Sequence, residues 1–315
     1  MRVLLWHVHG SWTTAFVQGD HEYAVPAVPG RGPDGRGRAQ TWDWPESVVE
    51  RTPEQLADEP FDVVLLQRRR ELDCLCEAWT GRRPGRDVPA VYVEHNAPQG
   101  RIQDMRHPAA DRDDLMICHV TPFNSLFWDC GRTPTRVVEH GVVDPGELYT
   151  GELPRAAAVI NDARRRGRVT GTDLLDRLAE AAPIDLFGMD AANAPARVNG
   201  IDDTPQYRLH QEMARRRVYL HPIRWTSLGL SLIEAMHLGM PVVALATTEA
   251  PEAVPREAGV LSTRVDVLLD AVRGFVADDE RAREAGRAAR RAALDHYGLQ
   301  RFLDDWDDLL AEATG

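Results

Sequence analysis

The sequence predicts an α/β protein of two domains, each an open parallel sheet with helices on its faces. Short apolar runs alternate with helical stretches along the whole chain. Runs such as Phe61-Asp-Val-Val-Leu-Leu66 and Val88-Pro-Ala-Val-Tyr-Val93 are apolar enough for strands covered on both faces. At 315 residues the chain exceeds what one core usually spans, so two are expected.

Composition narrows the function classes. A formal net charge of −12 does not supply the broad positive field that general nucleic-acid or anionic-membrane binding needs. No apolar run approaches the ~20 residues that cross a bilayer. Met1-Arg-Val-Leu-Leu-Trp-His7 is too short and too soon polar for a secretion signal, so a cytoplasmic protein without a transmembrane segment is expected. Lysine is absent and all 37 basic residues are arginine, which leaves every phosphate contact to guanidinium forks. Cys74, Cys76, Cys118 and Cys130 lack the spacing of a disulfide framework or a zinc site, and no metal is expected.

Taken in order, the first domain opens with a strand at 3–6, a turn at His9-Gly10-Ser11 and a helix over 12–18. A strand at 23–28 and an exposed Gly, Pro and Arg loop over 29–38 follow. Strands at 61–66 and 88–93 flank a helix over 71–79. A polar segment reaches Asp114, then come a strand at 116–120, a helix near 124–129 and a strand at 135–138. The expected domains are 1–150 and 151–298, with a last helix in 299–315. The second domain starts with a strand at 156–160 and a helix over 171–181, continues through strands at 185–187 and 218–220, and closes with an amphipathic helix over 278–296.

The most informative stretch is Thr226-Ser-Leu-Gly-Leu-Ser-Leu-Ile-Glu-Ala-Met-His-Leu-Gly-Met-Pro-Val-Val-Ala244. Ser227 suits an N-cap, Gly239 a C′ position, and Pro241 follows, so a helix is expected over 228–238 and a buried strand at 242–244. The helix is apolar around almost its whole circumference except at Glu234, and a buried lone carboxylate needs a partner. Amides at Leu228, Gly229 and Leu230 would lack intrahelical acceptors and carry the positive end of the dipole, which suits a diphosphate. Glu234, about 9 Å further along the axis at ~1.5 Å per residue, lies at the offset of a ribose diol.

These residues resemble the donor-site signature of family 4 retaining glycosyltransferases of the GT-B fold, in which two glutamates with seven residues between them surround a Phe-Gly pair and lead into Glu-Ala-Met-x-x-Gly-x-Pro-Val-Val-Ala. Glu234 matches the second glutamate, which in the family holds the nucleotide ribose. Thr226 stands at the first, which approaches the donor sugar and diphosphate, and Leu228 stands at the Phe. Glu139-His-Gly-Val-Val-Asp-Pro145 is similar to the family's Asn-Gly-Val-Asp stretch, with His140 at the Asn, and Val120-Thr-Pro-Phe-Asn-Ser125 fits the pattern before it. The resemblance implies two Rossmann-like domains facing a central cleft, acceptor side first and donor side second, with the C-terminal helix crossing back to the first domain.

Ala163-Arg-Arg-Arg-Gly-Arg-Val-Thr-Gly171 lies between a strand and a helix of the second domain. Here the family has a Gly-Arg pair and, five residues after that Arg, a Lys-Gly pair that clamp the donor diphosphate. Gly171 fits the second Gly, Thr170 replaces the Lys, and Arg165, Arg166 and Arg168 are the available cations. The run reads either as a solvated charged surface or as a donor-binding element acting mainly through Arg166 and Arg168. Arg224 is close enough to the signature to reach the diphosphate. Arg215-Arg-Arg217 reads as a helix C-terminus neutralising its dipole, and His221 as a packed imidazole at a strand end.

In the first domain His95 ends a strand, where ligands of open α/β sheets bind, and the family carries a histidine near this place. His95 either hydrogen-bonds the donor sugar or orients the acceptor, or it caps the Asn96 loop. His9, Gly10, Ser11 and Trp12 form the loop that faces the acceptor in the family, with His95 and Asn96 completing the set; Trp12 stacks on a sugar or fills the helix core.

No spacing isolates the pair of carboxylates about 5 Å apart that a retaining glycosidase uses. The resemblance implies a front-face substitution instead, with His95, Arg166, Arg168 and Thr226 as the catalytic set and charge stabilisation as the protein's main contribution. It implies a nucleotide-diphosphate sugar as donor, a small-molecule, glycan or lipid-linked acceptor, and no metal or cofactor. Asp111-Arg-Asp113 has the Asp-x-Asp form of the other major glycosyltransferase fold, but in a polar first-domain loop. A non-catalytic or regulatory nucleotide-sugar-binding protein is the other reading, kept open by Thr226.

Overall fold

The computed structural model describes residues 1–202 and 204–315. Contacts divide the chain into two units, Met1–Val143 with Leu299–Gly315, and Asp144–Gly298.

Unit 1 runs β1 (Arg2–Leu5), α1 (Gly10–Phe16), β2 (Glu22–Pro26), β3 (Val48–Arg51), α2 (Pro53–Asp58) and β4 (Val63–Leu66). A π-turn at Glu71–Leu75 leads into α3 (Cys76–Thr80), followed by β5 (Ala90–Glu94), β6 (Met116–His119), α4 (Pro122–Phe127) and β7 (Thr135–Val137). Among the described residues these strands form sheet 1, order β3-β2-β1-β4-β5-β6-β7, parallel throughout. Every side chain of β4 and β5 is buried, as strands covered on both faces require.

Unit 2 runs β8 (Leu153–Val159), α5 (Ala163–Arg166), a 3₁₀ turn at Thr172–Leu174, α6 (Leu175–Leu178), β9 (Ile184–Phe187), β10 (Val198–Ile201), α7 (Gln206–Arg215), β11 (Arg216–His221) and α8 (Leu230–Leu238). β12 (Val242–Leu245), α9 (Ala250–Ala253), β13 (Gly259–Ser262), α10 (Val265–Ala277) and α11 (Asp279–His296) complete it. Sheet 2 has the order β10-β9-β8-β11-β12-β13, again parallel. The last helix, α12 (Leu299–Thr314), belongs to unit 1. Its Phe302 and Trp306 are buried against Trp12 and Phe16, and Gly141 lies so close to Phe302 that no side chain would fit there. No helix among the described residues is long and apolar enough to cross a membrane.

Each sheet reverses its winding once, between β1 and β4 in sheet 1 and between β8 and β11 in sheet 2. At such a switch point the connections leave toward opposite faces and open a crevice beyond the strand C-termini. The loops after β8 and β11 therefore flank the crevice of sheet 2, and they hold the arginine run and the entry to α8.

Several elements differ from the sequence expectation. α1 begins at Gly10 rather than residue 12, and the helix expected over 171–181 is a 3₁₀ turn followed by the single turn of α6. Arg216 and Arg217 do not end a helix. Arg216 starts β11, with its guanidinium buried on Asp185 at 2.7 Å, and Arg217 donates to the Gly151 carbonyl at 2.6 Å. Burying Asp185 inside the sheet demands that counter-charge, which outweighs any attraction to the helix end.

Candidate functional site

The entry to α8 differs from the expected geometry in a way that matters. Gly229, with φ −75° and ψ 120°, is the N-cap, so the helix starts at Leu230 and Ser227 does not cap it. Ser227 is buried, and its carbonyl accepts the Glu249 amide at 3.4 Å. Gly229 is instead extended against the His221 ring. A Cβ on Gly229 would stand 2.7 Å from His221 Cε1, so glycine is what allows the close approach. The amides at the positive end are those of Leu230 and Ser231, and Leu228 lies before the helix, with no acidic residue in the first turn to offset the dipole. Thr226 is half-buried in the bend that precedes this entry.

Glu234 sits four residues into α8, roughly 6 Å along the axis at ~1.5 Å per residue, which is closer to the N-terminus than the sequence suggested. It is buried, and α7 supplies its partners: Gln206 Nε2 donates to Oε2 at 3.1 Å and His210 Nε2 approaches the same oxygen at 3.4 Å. Neither residue was marked by the sequence, because α7 has no motif and its register against α8 is a tertiary matter.

The arginine run is stitched to the α8 entry. The Val169 carbonyl accepts the amides of Arg224 at 2.9 Å and Trp225 at 3.1 Å, and Gly171, at φ +73°, presses on the Pro222 carbonyl where a side chain would overlap it. Thr170, at the family's lysine, is fully buried and shares a 3.0 Å hydrogen bond with Thr172. Arg168 pairs with Asp173 at 3.1 Å, Arg224 holds the same carboxylate, and Arg165 pairs with Asp162 at 2.5 Å. Arg166 differs. Its guanidinium is half-buried and, among the described residues, has no carboxylate within ion-pair distance; burial, then the neighbouring Arg165, lower its pKa below the ordinary guanidinium range. A partly desolvated, unpaired guanidinium is an anion site in waiting.

His221 is buried, and among the described residues its Nδ1 has no partner; burial lowers its pKa to about 4, so it is neutral.

In unit 1, His9 follows β1 and His95 follows β5, with ring centroids 4.1 Å apart. The His95 ring also meets the edge of Trp12 at 5.0 Å. Its pKa is held well below 6.5 by burial, then by His9 and His140. His140 is buried too, with its pKa lowered to about 3 by burial, then by His9 and Arg301. Trp12 is fully buried, stacked on Phe16 at 5.1 Å and edge-on to Trp306 at 5.5 Å, so it supports the His95 ring and presents no face to a sugar. Gly10 and Ser11 open α1 and are half-buried, while Asn96 is exposed.

Glu94 escaped the sequence reading. It ends β5 buried, bonded to Asn96 and to His107. A carboxylate closing an otherwise apolar strand is itself a signal, since burial obliges a partner, but nothing in the spacing points to His107. Of the other candidates, Cys74 is exposed and Cys76 buried, and Asp111 bonds Arg106 and the Arg132 amide.

Comparison with known proteins gives the same frame. Residues 189–292 match the family described as glycosyl transferases group 1. No curated protein matches the chain. Among solved structures, TarM is similar at TM-score 0.60 and 14% identity, over 79% of this chain and 54% of that one; the present chain thus spans about half the length of TarM. Sucrose-phosphate synthase from Thermosynechococcus elongatus is similar at TM-score 0.73 and 14% identity over 99% of this chain and 98% of that one. HepE from Anabaena, in complex with UDP, is similar at TM-score 0.70 and 14% identity over 99% and 100%. The fold is GT-B.

Proposed function

We propose that the chain is a retaining glycosyltransferase that moves a sugar from a nucleotide-diphosphate sugar to an acceptor hydroxyl. The observation that carries this is the convergence at the switch point of sheet 2, where the unpaired Arg166 and the acid-free N-terminus of α8 stand on two stitched loops. Two anion-stabilising elements, one a guanidinium and the other a helix end, suit a diphosphate. Glu234, behind them on α8, suits the ribose hydroxyls, with Gln206 and His210 holding it in place. The match of residues 189–292 to group 1 glycosyl transferases supports the reading, as does the UDP that HepE carries.

On this reading the diphosphate departs as an oxocarbenium-like centre forms, and the acceptor attacks the same face while the leaving phosphate takes its proton. Arg166 and the Leu230 and Ser231 amides stabilise the departing charge, the role a divalent ion plays elsewhere, so no metal is required. His95, neutral because it is buried, hydrogen-bonds sugar or acceptor hydroxyls without competing for the diphosphate. The acceptor is a small molecule, a glycan or a lipid-linked sugar.

Thr226 favours a second reading, a nucleotide-sugar-binding protein without transfer, because the loop before α8 offers no carboxylate at that position. Incubation with UDP-, GDP- and dTDP-sugars, with and without acceptors, separates the two. Turnover of one donor supports the transferase; saturable binding of a donor that is neither hydrolysed nor transferred supports the alternative.

A further inference from the structure

The buried carboxylate that closes β5 has no part in the chemistry above, yet both of its oxygens are engaged by hydrogen-bond partners. Glu94 Oε1 accepts the Asn96 backbone amide at 2.7 Å and the Asn96 side-chain amide at 3.3 Å. Oε2 faces His107 Nε2 at 3.1 Å, with both side chains buried. The Ala109 amide donates to His107 Nδ1 at 3.0 Å, so Nδ1 is the bare nitrogen and Nε2 carries the hydrogen that Glu94 accepts. His107 is enclosed by Tyr92, Trp128 and His119 rings, which fix its plane. The backbone on either side of His95 is tied as well: Asn124 Nδ2 donates to the Glu94 carbonyl at 3.2 Å, and Trp128 Nε1 to the Asn96 carbonyl at 2.9 Å.

We infer that Glu94 is a positioning residue: its carboxylate, oriented by His107, fixes the turn that presents His95 and Asn96 at the C-terminal edge of sheet 1. The inference rests on the proposed role of His95. The turn is short, and a buried acid anchors both the amide and the side chain of the residue after His95, so the His95 backbone cannot pivot without breaking charge-assisted bonds. On its other side the imidazole is wedged between His9 and Trp12. Backbone anchor and ring wedge together define one orientation, which is how a buried polar network fixes a site it does not touch.

The test uses the full chain and four variants, Glu94→Gln, Glu94→Asp, His95→Ala and the Glu94→Gln/His95→Ala pair. Glu94→Gln keeps the shape but turns one acceptor into an NH₂ group facing Asn96 N–H or His107 Nε2–H, a donor against a donor. Expected for Glu94→Gln is a fall in transfer kcat/KM of roughly 10- to 100-fold, as misplacement by about 1 Å can produce. Nucleoside-diphosphate affinity should stay within about twofold, and the ratio of donor hydrolysis to transfer should rise, which mere loss of folded protein would not change. Glu94→Asp, still a carboxylate, should recover part of the loss and serves if the Gln variant does not fold. In the His95→Ala background Glu94→Gln should add nothing, since the two act as one unit; independent losses that multiply overturn the inference. The His95 ring NMR signal, assigned by its disappearance in His95→Ala, should move in Glu94→Gln while that of His237 in unit 2 stays put. An unmoved His95 signal overturns the positioning role whether or not transfer occurs. Absent transfer with a moved signal overturns the proposed function alone.

Discussion

Arg224 closes a two-pronged ion pair on Asp173, Nη1 to Oδ1 at 2.5 Å and Nη2 to Oδ2 at 3.0 Å, and so ties together the two loops that flank the switch point of sheet 2. The Arg224 hydrogen bond, above other causes, pulls the Asp173 carboxyl below its ordinary 3.8. A depressed acid of this kind contributes stability that is present above pH ~3.8 and is lost as pH falls through the lower folded value. The pair is partly exposed, so Asp173→Asn should cost no more than ~1 kcal/mol of unfolding free energy. It should nonetheless weaken nucleoside-diphosphate binding several-fold by calorimetry, because the loops lose their common brace. Unchanged binding would make the pair a surface feature.

The four arginines near this crevice should not be equivalent. Arg166 is half-buried and unpaired, and Arg166→Ala should cost ~1.5–3 kcal/mol of diphosphate binding, the worth of a charged hydrogen bond. Arg165 and Arg168 are exposed and already paired, and each alanine variant should cost less than ~1 kcal/mol. A larger loss at Arg168 than at Arg166 would reassign the diphosphate contact.

Glu234→Ala should weaken nucleotide-sugar binding by about the same ~1.5–3 kcal/mol, because it removes the acceptor proposed for the ribose hydroxyls. The matching control is a 2′,3′-dideoxy nucleotide, which should bind the wild type weakly and lose nothing further in the variant. If it does lose affinity there, Glu234 acts through α7 rather than on the ribose.

Acid should destabilise both units. Unfolded histidines titrate near 6.5, whereas in the folded chain burial lowers His140 to about 3 and His119 and His221 to about 4. Between those values the unfolded state binds more protons, so the unfolding free energy falls as pH drops below ~6.5, by up to roughly 1.4 kcal/mol per pH unit for each group, and is flat above it. Urea unfolding at pH 5, 6 and 7 measures this, and His221→Gln should flatten the dependence in unit 2. Equal stability at pH 5 and 7 contradicts neutral burial.

The interior strands were legible because burial on both faces leaves an uninterrupted apolar run, as in β4 and β5. The strands that periodicity missed, β3, β10 and β13, all lie at sheet edges, where one side has no neighbour and the pattern thins. α8 was legible apart from its first turn. Ser227 has the chemistry of an N-cap, but its carbonyl and its burial are committed to Glu249, and the cap passes to Gly229 because only a residue without Cβ fits over His221.

Local sequence thus determined which segments become strands and helices, that two parallel sheets form, and which types of group, arginine, glutamate and histidine, gather at strand ends. These follow from burial and backbone geometry over a few residues. Only the tertiary structure decided which of the arginines stays unpaired, that Trp12 is core, that Gln206 and His210 hold Glu234, and that Glu94 and His107 grip the His95 turn. Charge pairing and hydrogen-bond satisfaction depend on partners far away along the chain, and no local pattern encodes their distance.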